Sequence, residues 1–157
     1  MKRKSPESAP IALDTLPGYQ IRRLHQIAVA IFLQDTEAHG ITPVQYGVLQ
    51  AVYNQPGVDQ RTLARTVGLD ASTIGGVVDR LEARGLLARS LSPTDRRVRL
   101  LSLTDAGRRT RAAVVPAMAQ AQHRMLAPLT AAEQAEFMRM LNLLVAANNE
   151  LSRAPIP

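Results

Sequence analysis

The amino-acid sequence predicts a mainly α-helical fold with one small β-hairpin, in the order α-α-α-α-β-β-α-α. Apolar residues recur at spacings of three and four along most of the 157 residues, which is the period of an amphipathic helix. Only two short runs, 86–92 and 98–104, alternate in the manner of strands. Glycine or proline separates most segments, and a hydrophobic content of 46% is enough for one buried core.

Two helices are predicted in the first third of the chain. The first runs from 17 to about 38 and is followed by Gly40 as a stop signal. The second spans 42–55, with Thr42 as its N-cap and proline at the first helical position. The preceding residues, 1–16, are predicted to form a mobile arm, and its first ten residues lack the apolar stretch of a secretory signal.

A short helix at 59–68 and a longer one at 70–84 come next. Asp70 or Ser72 can cap the longer helix, because either side chain can accept hydrogen bonds from its first free N–H groups. The apolar residues of this helix fall on one face, which we predict to point inward. That face consists of Ile74, Val77, Val78 and Leu81.

The spacing of Ala64, Gly68 and Ile74 is typical of a helix-turn-helix unit. A small residue lets the two helices approach, glycine suits the left-handed turn between them, and the aliphatic side chain fills the space between them. The hairpin that follows has a basic tip, PTDRR at 93–97. The predicted unit is therefore a winged helix-turn-helix lobe over 41–103.

Two long helices close the chain. The first, at 104–129, contains Pro116, which predicts a kink or a break. The second, at 130–151, begins with the capping box formed by Thr130 and Glu133.

The first and last helices carry more apolar surface than one small domain can bury. A symmetric homodimer that shares those helices would cover the surface. We therefore predict a dimerisation region formed by 17–40 and 104–151, with 152–157 as a C-terminal tail.

The charge of the chain is concentrated in its middle third. The formal net charge is +6, and residues 58–111 contain eleven arginines and six acidic residues. Arginine offers a planar fork that matches phosphates and guanine edges, so double-stranded DNA is the predicted partner. A basic face that serves only solubility is the simpler alternative.

In a winged helix-turn-helix, the second helix enters the major groove with its N-terminal part facing the bases. Ser72, Thr73, Gly75 and Gly76 then lie on the groove side. Each glycine costs about 1 kcal/mol relative to alanine in a helix interior. The glycines either let the helix backbone approach DNA or allow close packing against another helix.

The hairpin tip supplies the second predicted contact with DNA. Arg97 is expected at the tip, along the phosphates or in a minor groove, with Arg96 on a phosphate. Asp95 is expected to orient one guanidinium through a bidentate pair. The remaining DNA-contact candidates are Arg61, Thr62, Arg65 and Arg80, whereas Arg84 and Arg89 are ambiguous.

The stretch from 63 to 107 closely resembles the multiple-antibiotic-resistance regulator (MarR) family of bacterial winged-helix transcription factors. The wing signature of that family is an Asp, any residue, an Arg, and then a strand leading into Leu-Thr-x-x-Gly. Members often carry Thr-Arg where this chain has Gly75-Gly76, so base contacts at that position stay open. The residues that match the signature are Asp95, Arg97, Leu103, Thr104 and Gly107.

The resemblance implies a cytoplasmic, homodimeric regulator that binds a pseudo-palindromic operator, usually as a repressor released by a small ligand. The N-terminal helix is similar to members that regulate aromatic-acid catabolism, which implies an aromatic acid or its CoA thioester as effector. Arg22 or Arg23 could then pair with a carboxylate, and His25 could donate a hydrogen bond. Tyr46 and Tyr53 could flank an aromatic ring. The simpler alternative is that Arg22, Arg23 and His25 are ordinary surface residues.

Several function classes are excluded or disfavoured. The three histidines have no metal-ligand spacing, and no phosphate loop or nucleophile elbow occurs, so neither a catalytic residue nor a cofactor is predicted. The absence of cysteine excludes thiol redox chemistry, and no apolar run is long enough to span a membrane. Two alternatives stay open: a winged-helix regulator that senses a metal or an oxidant, and a protein–protein adaptor.

Overall fold

The computed structural model describes residues 12–152 and 154–155. Within them the predicted mainly helical order is confirmed, with one strand added. The elements are α1 (Pro17–Asp35), α2 (Pro43–Asn54), β1 (Val58–Asp59), α3 (Gln60–Thr66), α4 (Ala71–Ala83), β2 (Leu87–Leu91), β3 (Arg99–Leu103), α5 (Asp105–Leu126) and α6 (Ala131–Ala147).

The two ends of the chain are described only in part. Residues 1–11 of the predicted mobile arm lie outside the described residues, and Leu13–Thr15 forms a 3-10 turn. In the predicted tail, residues 153, 156 and 157 also lie outside them, and Ala154 is buried.

The predicted hairpin is part of a three-stranded antiparallel sheet with the order β1-β3-β2. The register pairs Val58 with Leu101 on one side of β3, and Leu87 with Leu103 on the other. The sequence did not predict β1, because a strand of two residues is too short to show alternation. This strand ties the start of α3 to the wing.

The core lies between α2, α3, α4 and the sheet, and α5 closes it from one end. The predicted inward face of α4 is confirmed, because all four of its apolar residues are buried. The core residues with no measurable exposure are Val48, Leu49, Val52, Leu63, Val78, Leu81, Leu101 and Val114.

Local capping explains where the helices begin and end. Thr42 is the predicted N-cap of α2, where it also forms a capping box with Gln45, and Thr130 forms the predicted capping box with Glu133 at the start of α6. Asp70, rather than Ser72, is the N-cap of α4. Gly68 (φ 67°) and Gly85 (φ 68°) adopt the left-handed conformation after α3 and α4, as expected.

The long helices differ in two respects from the prediction. α1 ends at Asp35 rather than near 38, because the Thr36 hydroxyl lies within hydrogen-bond distance of the carbonyl oxygens of Phe32 (2.8 Å) and Ile41 (3.1 Å) and fixes the reversal of the chain. α5 is continuous across Pro116, so the predicted break is absent. A proline within a helix removes one backbone donor, and α5 tolerates that loss.

The outer helices leave much of their apolar surface open. Ile21 on α1 is 58% exposed, and Leu143 and Leu144 on α6 are 59% and 54% exposed. None of the helices in the described part of the chain combines the length and the apolarity that a bilayer span requires.

Candidate nucleic-acid interface

The first residues of α3 are held by Asp59. Its carboxylate accepts hydrogen bonds from the backbone N–H groups of Arg61 (2.9 Å) and Thr62 (3.0 Å), and from the Thr62 hydroxyl (2.7 Å). These bonds, led by that of the Thr62 hydroxyl, lower the pKa of Asp59. Arg61 is exposed at the start of α3, next to the wing.

The first residues of α4 repeat this arrangement around Asp70. Its carboxylate accepts from the backbone N–H groups of Ser72 (3.0 Å) and Thr73 (2.9 Å). The hydroxyl groups of Ser72 (2.6 Å) and Thr73 (2.8 Å) donate to it as well. Together these bonds hold the pKa of Asp70 well below its usual range, the Ser72 hydroxyl contributing most.

The two glycines of α4 lie beside the ends of flexible side chains. A Cβ on Gly75 would meet only the Gln60 amide nitrogen, at 3.7 Å. A Cβ on Gly76 would meet the guanidinium of Arg80, with its nearest nitrogen at 3.4 Å. Gln60 belongs to α3, but it reaches Gly75 only with the end of its side chain and not with backbone.

The tip of the wing is organised by Asp95, though not as predicted. The Asp95 carboxylate accepts from the backbone N–H of Arg97 (2.9 Å), and its carbonyl accepts from Val98 (2.9 Å). Among the described residues it forms no ion pair with Arg96 or Arg97, so the predicted bidentate pair is wrong. A carboxylate two residues before an N–H reaches the backbone more readily than a neighbouring side chain. Arg96 and Arg97 are exposed, and neither guanidinium is held by Asp95.

A groove of about 700 Å³ joins the wing to the start of α3. Arg61 and Thr62 line one wall, and Arg97 and Arg99 line the other. Sequence reasoning missed Arg99 as a candidate. The available signal was its position two residues after Arg97, because alternate residues of a strand lie on the same face.

The arginines of this surface carry uncompensated charge. Three arginines elsewhere form the ion pairs of the described residues: Arg89 with Asp79 and Glu82, Arg124 with Asp35, and Arg139 with Glu136. Arg84 donates to the Gly40 carbonyl instead (2.8 Å). Both ambiguous residues, Arg84 and Arg89, therefore have partners within the chain. The arginines of the candidate interface that have no carboxylate partner among the described residues are Arg61, Arg65, Arg80, Arg96, Arg97 and Arg99.

The candidate effector residues are not gathered in one place. The Arg22 guanidinium lies 5.2 Å from the centre of the Tyr19 ring. His25 lines a cleft of about 700 Å³ between α1, α5 and α6. Tyr46 lines a different cleft, of about 440 Å³, between α2 and the turn after α3. Tyr53 covers the guanidinium of Arg111 at 4.0 Å.

Sequence reasoning missed the residues that connect the two tyrosines. The Gln50 side-chain oxygen accepts from the Arg111 Nε (2.9 Å) and from the Tyr46 hydroxyl (3.3 Å). Arg111 therefore links α5 to both Tyr46 and Tyr53. Its distance of 61 residues from Gln50 in the chain left no local signal. No three His, Asp or Glu side chains in the described residues are grouped so that they could hold a metal ion.

Comparisons with known proteins agree with this geometry. Residues 39–98 match the model of the MarR family. The transcriptional repressor NicR of Pseudomonas putida is 30% identical over 151 residues, covering 92% of this chain and 94% of NicR.

Two solved structures are also similar. The PcaV regulator of Streptomyces coelicolor, in complex with its natural ligand, is 40% identical with a TM-score of 0.81, covering 89% of this chain and 99% of PcaV. The repressor CouR, bound to a 23-mer DNA duplex, is 32% identical with a TM-score of 0.80, covering 85% of this chain and 94% of CouR. CouR of Rhodococcus jostii has also been solved with p-coumaroyl-CoA. The chain therefore belongs to the MarR family of winged helix-turn-helix transcription regulators.

Proposed function

We propose that this chain is a homodimeric, non-catalytic repressor of the cytoplasm, which binds a pseudo-palindromic operator and is released by a small aromatic ligand. The observation that carries the proposal is the uncompensated arginine surface across α3, α4 and the wing. NicR and CouR are both repressors, and the CouR structure holds a DNA duplex. An adaptor protein without a DNA role would not need this charge.

The proposed DNA-binding lobe is 41–103. The start of α4 enters the major groove, and the bare surface at Gly75 and Gly76 lets its backbone approach the bases. Asp95 keeps the wing turn in shape, while Arg97 follows the phosphates or enters a minor groove. The other proposed contacts are Arg61, Thr62, Ser72, Thr73, Arg80 and Arg96.

The proposed dimerisation region is 17–40 together with 104–151. Its support is the apolar surface that α1 and α6 leave exposed in one chain outside the cleft beside His25, notably at Ile27 and Leu143. A two-fold dimer presents two copies of α4, so the half-sites lie about one helical turn, roughly 34 Å, apart.

We propose an aromatic carboxylate or its CoA thioester as the effector. CouR binds p-coumaroyl-CoA, and the cleft beside His25 is lined mainly by apolar side chains that suit an aromatic ring. The second candidate position is Arg111, where Tyr46 and Tyr53 lie nearby and could flank a ring. Arg22 lies beside Tyr19 on α1. An effector acts by binding more tightly to a dimer whose two α4 helices are wrongly spaced for DNA.

Fluorescence anisotropy on the DNA upstream of the protein's own gene tests the DNA-binding half. We expect tight binding that weakens steeply with salt, because phosphate contacts release counterions. Arg97→Ala should weaken binding about tenfold and reduce the salt slope by about one, as expected for a single phosphate neutralised by that side chain. Arg109→Ala is the matched control, because Arg109 is an exposed arginine of α5 outside the proposed DNA contacts. Equal losses of affinity for the two variants would contradict the proposed role of Arg97.

The same assay, titrated with aromatic acids and their CoA thioesters, tests the effector half. One compound should release the DNA. Arg111→Gln should weaken that response if the carboxylate binds beside Gln50, and His25→Ala should weaken it if the ligand fills the α1–α6 cleft. If no compound releases DNA, the DNA-binding function stands and the effector assignment is wrong.

A further inference from the structure

We infer that Asp70, Ser72 and Thr73 form an edge that can only accept hydrogen bonds, and that this edge selects adenine or cytosine over guanine or thymine on one strand of each half-site. The inference deepens the proposed function and rests on it, since it requires the start of α4 to lie in the major groove. The exposure of these residues alone does not predict which bases they prefer, whereas the direction of their hydrogen bonds does.

The first step is where the hydroxyl hydrogens point. The pKa of Asp70 is held far below its usual value, so its carboxylate is ionised at neutral pH and can only accept. The hydroxyls of Ser72 (2.6 Å) and Thr73 (2.8 Å) must therefore be the donors in their bonds with Asp70. Each hydroxyl has only one hydrogen, so its oxygen has only lone pairs left to offer.

The second step is what the major groove presents. Adenine and cytosine carry amino groups there, whereas guanine and thymine present acceptors at the corresponding position. An edge of acceptors can pair with an amino group and is repelled by a carbonyl oxygen. Every base pair has one amino group in this groove, on one strand only. The edge therefore distinguishes the two orientations of a pair.

The third step is which side-chain groups a base meets at the start of α4. Ser72 and Thr73 are both exposed, so their oxygens are accessible to a base. Gly75 and Gly76 occupy the rest of the proposed groove side and have no side-chain donors. The Gln60 amide nitrogen lies beside Gly75 and the Arg80 guanidinium beside Gly76, both past Thr73 in α4. A guanine or thymine carbonyl oxygen that faces the Ser72 and Thr73 hydroxyls therefore meets acceptors, because both hydroxyl hydrogens are donated to Asp70.

Selection of binding sites from a random DNA duplex library tests the inference. For the natural protein we expect one position per half-site where adenine or cytosine exceeds guanine or thymine about tenfold on one strand. Thr73→Val keeps the shape but removes the acceptor, and it should lose most of this preference. Asp70→Asn should admit guanine or thymine, because its amide can donate to the Thr73 oxygen and free the hydroxyl hydrogen.

Glu133→Gln is the matched control, because Thr130 and Glu133 form a cap on α6, outside the proposed DNA-binding lobe. It should leave the base preference unchanged, and circular-dichroism melting confirms that each variant is folded. Replacing the selected adenine by purine, which lacks the amino group, should cost the natural protein about tenfold in affinity and Thr73→Val little. An unchanged base preference in both Thr73→Val and Asp70→Asn would overturn the inference. Failure of the natural protein to select any sequence would instead overturn the proposed function.

Discussion

Two glycine sites in this protein, Gly107 at the base of the wing and Gly75-Gly76 on α4, use the same residue for opposite physical reasons. Gly107 is buried, and a Cβ there would lie 2.0 Å from the carbonyl oxygen of Leu86. A Cβ on Gly75 would meet nothing closer than 3.7 Å. Glycine at the wing base allows two backbone segments to touch, whereas glycine on α4 leaves a surface bare.

The wing base is fixed by bonds that cross between elements. The Thr104 hydroxyl donates to the carbonyl of Gly85 (2.6 Å) and accepts from the backbone N–H of Gly107 (3.0 Å). The backbone N–H of Thr104 also donates to the carbonyl of Leu86 (3.2 Å). The end of α4 and the start of α5 are therefore locked together. At the start of α4, by contrast, every bond of Asp70 described above stays within four residues.

The largest expected effect is that of Gly107→Ala. The new methyl group would collide with backbone atoms that cannot move away cheaply, so the free energy of unfolding should fall by about 3 kcal/mol. Urea denaturation followed by circular dichroism measures the change. Gly47→Ala is the control, because the space around Gly47 in α2 is open and alanine should stabilise that helix slightly. Equal stabilities for the two variants would remove the packing explanation.

The next effect is that of Thr104→Val, which removes both hydroxyl bonds and leaves their backbone partners unsatisfied. The free energy of unfolding should fall by about 1–2 kcal/mol. Thr104→Ser retains the hydroxyl and should cost much less. If serine and valine destabilise the protein equally in urea titrations, the lock between α4 and α5 does not depend on these bonds.

Substitution of the α4 glycines should have the opposite sign. Gly75→Ala and Gly76→Ala should each stabilise the helix by up to about 1 kcal/mol, because the nearby atoms are ends of flexible side chains. Affinity for specific DNA should nevertheless fall, by about tenfold in an anisotropy titration. A stabilised protein with unchanged DNA affinity would show that the bare surface does not serve DNA approach.

The smallest expected effect is on how the free energy of unfolding varies with pH. It distinguishes the helix caps formed by Asp59 and Asp70 from the Thr104 hydroxyl at the wing base. Hydrogen bonds lower the pKa of Asp59 and of Asp70 in the folded protein. Their contribution to stability is therefore present above the carboxyl pKa of the unfolded chain, about 4, and is lost as the pH falls through the folded values. Asp59→Asn and Asp70→Asn should flatten the stability curve between about pH 5 and pH 2 relative to the natural protein. Thr104→Val should lower the free energy of unfolding without changing its dependence on pH, because a hydroxyl does not titrate in this range.

Much of the fold and part of the site could be predicted from local sequence. The caps at Thr42 and Thr130, the inward face of α4 and the glycine turns all depend on residues within about one helical turn of each other. The prediction for Asp95 was wrong because two local donors were available to its carboxylate, a neighbouring guanidinium and the backbone N–H of Arg97. The carboxylate accepts from the backbone N–H. The strand β1 was missed because its pairing partner, β3, is distant in the chain.

The sequence by itself determined the order of the helices and the hairpin, the helix caps and the concentration of arginine in the middle third, because hydrophobic period, capping and charge are properties of neighbouring residues. Only the tertiary structure decided which arginines are free. Arg84 lies 44 residues from Gly40 and Arg111 lies 61 residues from Gln50, so their partners depend on how the helices pack. The close approach at Gly107 could likewise not be predicted from the sequence. A side chain there is excluded only because the folded protein places the Leu86 backbone against α5.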